Sequence, residues 1–331
     1  MSRIGIAMIG LGPGAEPHAK SIVDLGHRVE VRAAASRTEG RTRAFADRFG
    51  FPVTTDIDAV IADPTIQAVL VLTPPASHLE IAERCLLAGK HVLVEKPLEL
   101  TVARAEQLVR VGRQAKRKLG VVLQHRFRPA SLRLRAALDG GELGTVTAAW
   151  LLVPWWRPQA YYDEPGRGTM ARDGGGVLMT QAIHGLDLFR SLVGVQAVVA
   201  AQAVTTAVHR METEDFASAL VRLGGGAPGT IIATTAAYPG SGERIEITGT
   251  RGMASLVGGS LRLSMIGGGD ETVVAEGATG GGANMMDFPH DAHRAVLADF
   301  LDAIEQDRDP AVTGEEALAS QRLIADILAA A

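Results

Sequence analysis

The sequence predicts an α/β protein in two parts. A doubly wound parallel sheet is expected over residues 1–125, and an α+β domain with a large, mostly antiparallel sheet over 126–331. Three observations carry this expectation. In the first 125 residues, short β-branched runs alternate with longer segments whose apolar residues recur at helical spacing. After Arg126, strand-like runs follow one another across short glycine turns. The length of 331 residues, at roughly 100 to 200 per domain, fits about two domains.

The strand-like runs of the first part are Ile4–Ile9, Val29–Ala35, a weak one near Val53, then 68–72, 91–94 and 121–123. Between them lie helical patterns such as 76–88 and 101–118. Strands joined by helices of that length need crossover connections, so the sheet is expected to be parallel and covered on both faces. The second part begins with a helix near 131–138 and a strand from Thr145, followed by a polar, glycine-rich loop and a helix near 181–192. Strands are then expected at 214–223, 229–237, 244–248, 253–257, 261–265 and 271–275. Residues 277–282 read as a mobile loop, and helices near 293–306 and 314–330 close the chain.

Composition narrows the function. With 21% charged and 47% apolar residues and a net charge of -4, the chain lacks the basic surface that nucleic acids or anionic membranes attract. The single cysteine, Cys85, excludes an internal disulfide framework and a multi-cysteine zinc site, and its helical setting predicts burial. The first apolar run is too short for a secretory leader and ends in glycines, so a cytoplasmic protein is expected. Residues 191–208 carry no charge and approach the length of a membrane span. Their Gln, Ser, Thr and Ala residues and Gly194 predict a helix-to-strand passage instead. Aromatic residues are only 4% of the chain, yet Trp150, Trp155, Trp156, Tyr161 and Tyr162 share one short stretch.

Directly after the first strand comes Gly10-Leu11-Gly12-Pro13-Gly14-Ala15. In a dinucleotide-binding turn Gly10 permits the tight bend, Gly12 lets the backbone approach a pyrophosphate, and small Ala15 allows close helix–strand packing. The helix N-terminus beyond Pro13 and Gly14 offers N–H groups to the phosphates. Where the second strand ends, the acidic residue that reads a ribose 2′-hydroxyl is replaced by Ser36, with Arg37, Thr38 and Arg41 after it. A guanidinium there can pair with a 2′-phosphate, which favours NADP(H). NAD(H), with Arg37 and Arg41 merely solvated, is the alternative.

Further motifs carry a family resemblance. Thr73-Pro74-Pro75-Ala76-Ser77-His78 follows the fourth strand and Glu95-Lys96-Pro97 the fifth. Gly174-Gly175-Gly176-Val177-Leu178-Met179-Thr180-Gln181-Ala182-Ile183-His184-Gly185-Leu186-Asp187 opens the long helix of the second part. With Ala237-Tyr238-Pro239 and the tail Asp299-Phe300-Leu301-Asp302-Ala303-Ile304, the chain resembles the Gfo/Idh/MocA oxidoreductases along nearly its whole length. These join a Rossmann domain to an α/β substrate domain. The resemblance implies cofactor contacts at the glycine turn, Ser36, Arg37, Arg41, Thr73, Pro74, His78, Glu95, Lys96 and Gln124, with His18 near the cofactor loop. It also implies a homodimer or homotetramer built through the second-domain sheet.

Hydride transfer at an alcohol carbon needs a group that takes the hydroxyl proton and a donor that steadies the developing alkoxide. Lys96 stands just past the end of a parallel strand, where open α/β sheets place ligands. The resemblance implies that His184 carries the proton and Lys96 holds the reacting oxygen, both facing the nicotinamide. A solvated lysine and a satisfied core histidine are the alternative readings. The family often has Asp four residues before this histidine, where Thr180 stands here on the same helical face; threonine cannot ionise near neutral pH, so Thr180 is expected to hydrogen-bond substrate instead of relaying a proton.

By the same resemblance, Trp156, Arg157, Tyr161, Tyr162 and Arg167 roof a carbohydrate-like substrate, whereas alternation along the strand from Thr145 to Trp155 places Trp150 in the core. Arg126 reaches substrate or cofactor, or else forms an interdomain salt bridge. His290-x-x-His293 with Asp287 and Asp291 has metal-compatible spacing but no convincing ligand set, so a polar helix start and no metal are expected. The expected activity is oxidation or reduction of a secondary hydroxyl or ketone of a sugar, sugar derivative or cyclitol. The alternatives are glycoside cleavage through transient oxidation and a cofactor-binding regulator without turnover.

Overall fold

The computed structural model describes residues 3–275 and 289–331. The expected loop at 277–282 and Asp287 lie outside the described residues. In chain order the first part holds β1 (Ile4–Ile9), α1 (Glu16–Asp24), β2 (Val29–Ala35), α2 (Glu39–Phe49), β3 (Val53–Thr54), α3 (Ile57–Ala62) and β4 (Ala68–Val71). It continues with α4 (His78–Leu87), β5 (His91–Glu95), α5 (Val102–Ala115) and β6 (Leu119–Val122). Next come α6 (Pro129–Asp139), β7 (Val146–Pro154), the short helices α7 (Gln159–Tyr162), α8 (Met170–Asp173) and α9 (Val177–Thr180), then α10 (Ile183–Val193). Strands β8 (Val195–Val204), β9 (Phe216–Leu223), β10 (Pro228–Thr234), β11 (Arg244–Gly249), β12 (Gly252–Val257), β13 (Ser260–Met265) and β14 (Glu271–Val273) follow. Helices α11 (Asp291–Glu305) and α12 (Gly314–Ala329) end the chain.

The chain divides into two compact units, Met1–Leu123 with His290–Ala319 and Gln124–Pro289 with Ser320–Ala331. The continuous second domain expected over 126–331 is therefore interrupted, because residues 290–319 return to the first unit. The reason is an apolar stripe on α11. Val296, Leu297, Phe300 and Leu301 are buried, α11 packs along α1, and Arg28 reaches Asp302 and Glu305 at 2.6 and 2.7 Å. Beyond the helix, the Val121 N–H donates to the Val312 carbonyl.

The first unit's sheet has six parallel strands in the order β3-β2-β1-β4-β5-β6. Strands β1, β4 and β6 are buried along their whole length, as expected of a sheet covered on both faces. The chain winds outward from β1 to β3 and resumes at β4 on the other side. Between β1 and β4 the order reverses, and open α/β sheets bind ligands at such a switch point.

The second unit's sheet has eight strands in the order β14-β13-β12-β11-β7-β10-β9-β8, antiparallel throughout except for the β7–β10 pair. Helices α6, α9 and α10 pack against this sheet. Alternation along β7 buries Ala149, Leu151 and Val153, so Trp150, expected in the core, projects from the opposite face and is half-exposed. The apolar residues Val199 and Leu220 of this sheet are exposed as well. The uncharged stretch 191–208 is the end of α10, a turn at Gly194, β8 and the residues after it. Among the described residues, no helix is long and apolar enough to cross a membrane.

Candidate active site

At the carboxyl end of β1 the glycines play unequal parts. Gly10 has φ of 104°, and a Cβ there would lie 2.6 Å from the backbone of Leu72, so the fold itself demands glycine. Around Gly12 and Gly14 a Cβ would meet nothing within 4 Å. Protein packing gives no reason for these two, whereas the close approach of a pyrophosphate does. Pro13–Ala15 form a single 3₁₀ turn in which the Ala15 N–H donates to the Gly12 carbonyl at 2.9 Å, and Ala15 is fully buried. At the end of β2, Ser36 is buried while Arg37 and Arg41 are exposed.

Past β4, Thr73 is half-buried and Pro74 exposed, but His78 departs from its expected cofactor role. Its ring is fully buried, with Nε2 2.8 Å from the Thr73 carbonyl and Nδ1 3.0 Å from the Pro97 carbonyl. It fastens the turn after β4 to the turn after β5, with both ring nitrogens directed at the protein's own backbone. Glu95 is also turned inward. Oε1 meets His18 Nε2 at 2.7 Å, and Oε2 accepts the Lys96 N–H at 3.0 Å. Burial pushes this carboxyl up, yet the hydrogen bond and charge of His18, with His293 and Lys96, hold it below the usual range. The loop after Lys96 has an anchor that the sequence did not signal. Glu99, fully buried, takes both its oxygens to Arg104 at 2.9 Å and accepts the N–H groups of Leu79 and Leu100.

In the second unit, the glycine run before α9 is tightly packed. A Cβ on Gly176 would lie 1.9 Å from the Glu214 carbonyl, and the Glu214 carboxylate accepts the N–H groups of Gly176 and Leu178. The helix expected near 181–192 is α10, and the short α9 before it is separated from it by a break at Gln181 and Ala182. Thr180 and His184 therefore do not share one unbroken helical face. Thr180 Oγ1 can donate to the Gly176 carbonyl at 2.7 Å or to Gln181 Oε1.

His184, the second residue of α10, is buried and stacks on His125, with centroids 4.8 Å apart at 27°. His125 Nδ1 lies 2.9 Å from Glu243 Oε1, and its Nε2 lies 2.7 Å from an Arg128 nitrogen. Burial raises the Glu243 pKa, but His125 and Arg128 outweigh it and bring the carboxyl down to about 2. Arg128 and Glu243 were not anticipated, because a partner over a hundred residues away leaves no local trace.

Several expected substrate residues serve the fold. Arg126 forms a bidentate pair with Asp187 inside the second unit, both contacts at 2.6 Å. Asp187 is fully buried and also accepts from Ser320. Tyr162 is buried, and its hydroxyl pairs with Thr235 Oγ1 at 2.7 Å. Arg157 is buried between the rings of Trp155 and Tyr161 and donates to the Trp156 carbonyl.

Others remain at the surface. Trp156 is half-buried and edge-on to the exposed Tyr238, with ring centroids 5.4 Å apart. The Arg167 guanidinium sits 4.5 Å over the Tyr161 ring, and Gln181 donates to the Tyr161 hydroxyl at 3.2 Å. Arg167 Nε and Gln124 Oε1 are buried polar atoms with no hydrogen-bond partner among the described residues.

Residues 4–123 match the oxidoreductase family with an NAD-binding Rossmann fold named Gfo/Idh/MocA, and residues 131–255 match that family's C-terminal domain. The chain belongs to the Gfo/Idh/MocA family. Among its relatives are inositol 2-dehydrogenase of Rhizobium meliloti (strain 1021), 27% identical over 97% of this chain and 94% of that protein, and 1,5-anhydro-D-fructose reductase of Ensifer adhaerens, 30% identical over 87% and 84%. The WlbA dehydrogenase of Bordetella pertussis, solved with NADH and UDP-GlcNAcA, superimposes with a TM-score of 0.84 at 27% identity, covering 99% of this chain and 96% of that one. This member of the family is an oxidoreductase with an NAD-binding Rossmann domain.

Proposed function

We propose that this family member is a dehydrogenase or reductase acting on a secondary hydroxyl or ketone of a sugar, sugar derivative or cyclitol. The observation that carries the reading is the open space at Gly12 and Gly14, beside a β1/β4 switch point, where dinucleotide pyrophosphates bind. The named activities of the inositol and anhydrofructose relatives support the substrate class. A bound nicotinamide supplies the carbon that accepts or gives the hydride. Lys96 donates a hydrogen bond to the reacting oxygen, and the His184 imidazole takes or returns the hydroxyl proton. His125, fixed by Glu243 and Arg128, holds the plane of the His184 ring. Trp156 and the Arg167–Tyr161 pair offer a carbohydrate an aromatic face, and buried Arg167 Nε offers it a donor.

The cofactor preferred is NADP(H). Ser36 leaves no carboxylate at the end of β2 to repel a 2′-phosphate, and the exposed Arg37 and Arg41 can pair with one. The sheet carrying the exposed Val199 and Leu220 is the surface for a homo-oligomer, which light scattering of the purified chain tests.

The functional test is cofactor absorbance across sugars and polyols, with NAD and NADP side by side. Turnover is expected with at least one of them, and its absence across the panel with both would favour a regulator. A tenfold preference for NADH in kcat/KM would overturn the assignment of Arg37 and Arg41. Replacing His184 with Ala should lower kcat by about 10² to 10⁴ while cofactor Kd stays unchanged. A variant with wild-type kcat removes His184 from the chemistry.

A further inference from the structure

We propose that His18, Glu95 and His293 form a site for a divalent transition metal of the zinc class within the nucleotide-binding unit. The three residues come from the first turn of α1, the last residue of β5 and the first turn of α11, and one ligand atom from each lies within 4.8 Å of the others. Zinc takes imidazole nitrogen at about 2.0–2.1 Å and carboxylate oxygen at about 2.0–2.2 Å, so tetrahedral ligands stand roughly 3.4 Å apart. The present separations exceed that spacing by at most about 1.4 Å.

The chemistry of the set selects the ion. Two imidazoles and one carboxylate suit zinc and its first-row neighbours, whereas calcium and magnesium prefer oxygen alone. Three protein ligands leave a fourth position for water. Both histidines are buried, so little side-chain freedom remains to be lost on binding. Hydrogen bonding does not exhaust the His18 ring, whose Nδ1 is buried with no hydrogen-bond partner among the described residues. The Glu95 carboxylate is oriented as metal ligands are. Oε1 faces His18 while Oε2 is held by the Lys96 N–H.

On binding, the ion takes the place of the hydrogen between His18 Nε2 and Glu95 Oε1; from a neutral ring that proton passes to Nδ1, and from an imidazolium it leaves to solvent while Nδ1 keeps its own. The Oε2 contact to Lys96 survives. Metal occupancy thereby ties α1 and α11 to the turn that carries Lys96. The sequence spacing His290-x-x-His293 points to the wrong partner, because His290 is bound to Asp24.

The test uses the untagged full chain, stripped of metal. Equilibrium dialysis against zinc should give one ion per chain, and cobalt(II) should give the visible absorption of a four-coordinate site, displaced by zinc. His293→Gln and His18→Gln should each weaken zinc binding by more than about 100-fold, beyond what loss of an outer-shell partner causes. His290→Gln should leave binding unchanged. His293→Cys places a thiolate on the ion and should add a sulfur-to-cobalt charge-transfer band, which locates the site even where the glutamine variant does not fold. Absence of stoichiometric zinc and cobalt binding by the wild type overturns the proposal. So does binding retained in His293→Gln or lost in His290→Gln, or a folded His293→Cys protein without the new band.

Discussion

The two units build their candidate sites in opposite ways. In the nucleotide-binding unit the site is mostly backbone, a turn in which Gly12 and Gly14 are small for no packing reason and leave peptide groups open to approach. In the second unit it is mostly side chains, and the protein has already engaged many of them. Arg126 is engaged by Asp187, Tyr162 by Thr235, and Arg157 by Trp155, Tyr161 and the Trp156 carbonyl. A glycine turn after a strand declares its ligand locally, but a polar side chain declares only a capacity. Tertiary structure decides whether fold or substrate uses it.

The largest expected break of this contrast is Arg126→Ala. Removing the guanidinium leaves Asp187 as a buried carboxylate without its bidentate partner, and breaking a buried pair this way destabilises by about 3–5 kcal/mol. The thermal midpoint should fall steeply while substrate KM holds. A raised KM at an unchanged midpoint would return Arg126 to the substrate side.

Next in size is a pH effect at the His125–Glu243–Arg128 cluster. Glu243 sits at about 2 in the folded protein against 4.5 for an ordinary glutamate. A depressed folded pKa contributes stability that is complete above the unfolded value and lost as pH falls through the folded one. At 1.36 kcal/mol per unit the contribution is on the order of 3 kcal/mol, disappearing between about pH 4.5 and pH 2. Denaturant melts across that window should show a slope that Glu243→Gln flattens. An identical slope in the variant would mean that other carboxylates govern acid unfolding.

Smaller still, and aimed at the backbone site, is the pair Gly10→Ala and Gly12→Ala. The first forces a Cβ to 2.6 Å from Leu72 at positive φ, so stability should fall by roughly 1–3 kcal/mol. The second meets nothing within 4 Å, so the fold should hold while cofactor Kd, read by nicotinamide fluorescence, rises about tenfold or more. If Gly12→Ala binds cofactor normally, the open space serves something else.

Legibility followed the same line. The parallel sheet, its strand-by-strand positions and the glycine turn could be read because hydrophobic period and turn chemistry are local properties. Residues 290–319 could not be assigned to the first unit, because an amphipathic helix such as α11 declares a buried face but not what buries it. His78 carried a motif position yet turned inward to two carbonyls. The roles of Glu99 and Glu243 were invisible, since a carboxylate's partner is chosen by the fold. The break between α9 and α10 also lacked a signal, because no proline or glycine stands at Gln181 or Ala182.

The smallest effect separates the two fates within one aromatic stretch. Tyr162→Phe keeps the buried ring and deletes only the hydroxyl that pairs with Thr235, so stability should drop by about 0.5–1.5 kcal/mol with substrate KM unchanged. Trp156, half-buried against Tyr238 and only six residues earlier, presents part of its ring to solvent, and Trp156→Ala should raise KM several-fold with little change in the melting midpoint. Measured together, the pair asks whether exposure, more than residue type, marks the side chains left for a substrate. Should Tyr162→Phe raise KM at constant stability, the Thr235 contact is one that substrate competes for, and the inward-facing half of the stretch rejoins the site.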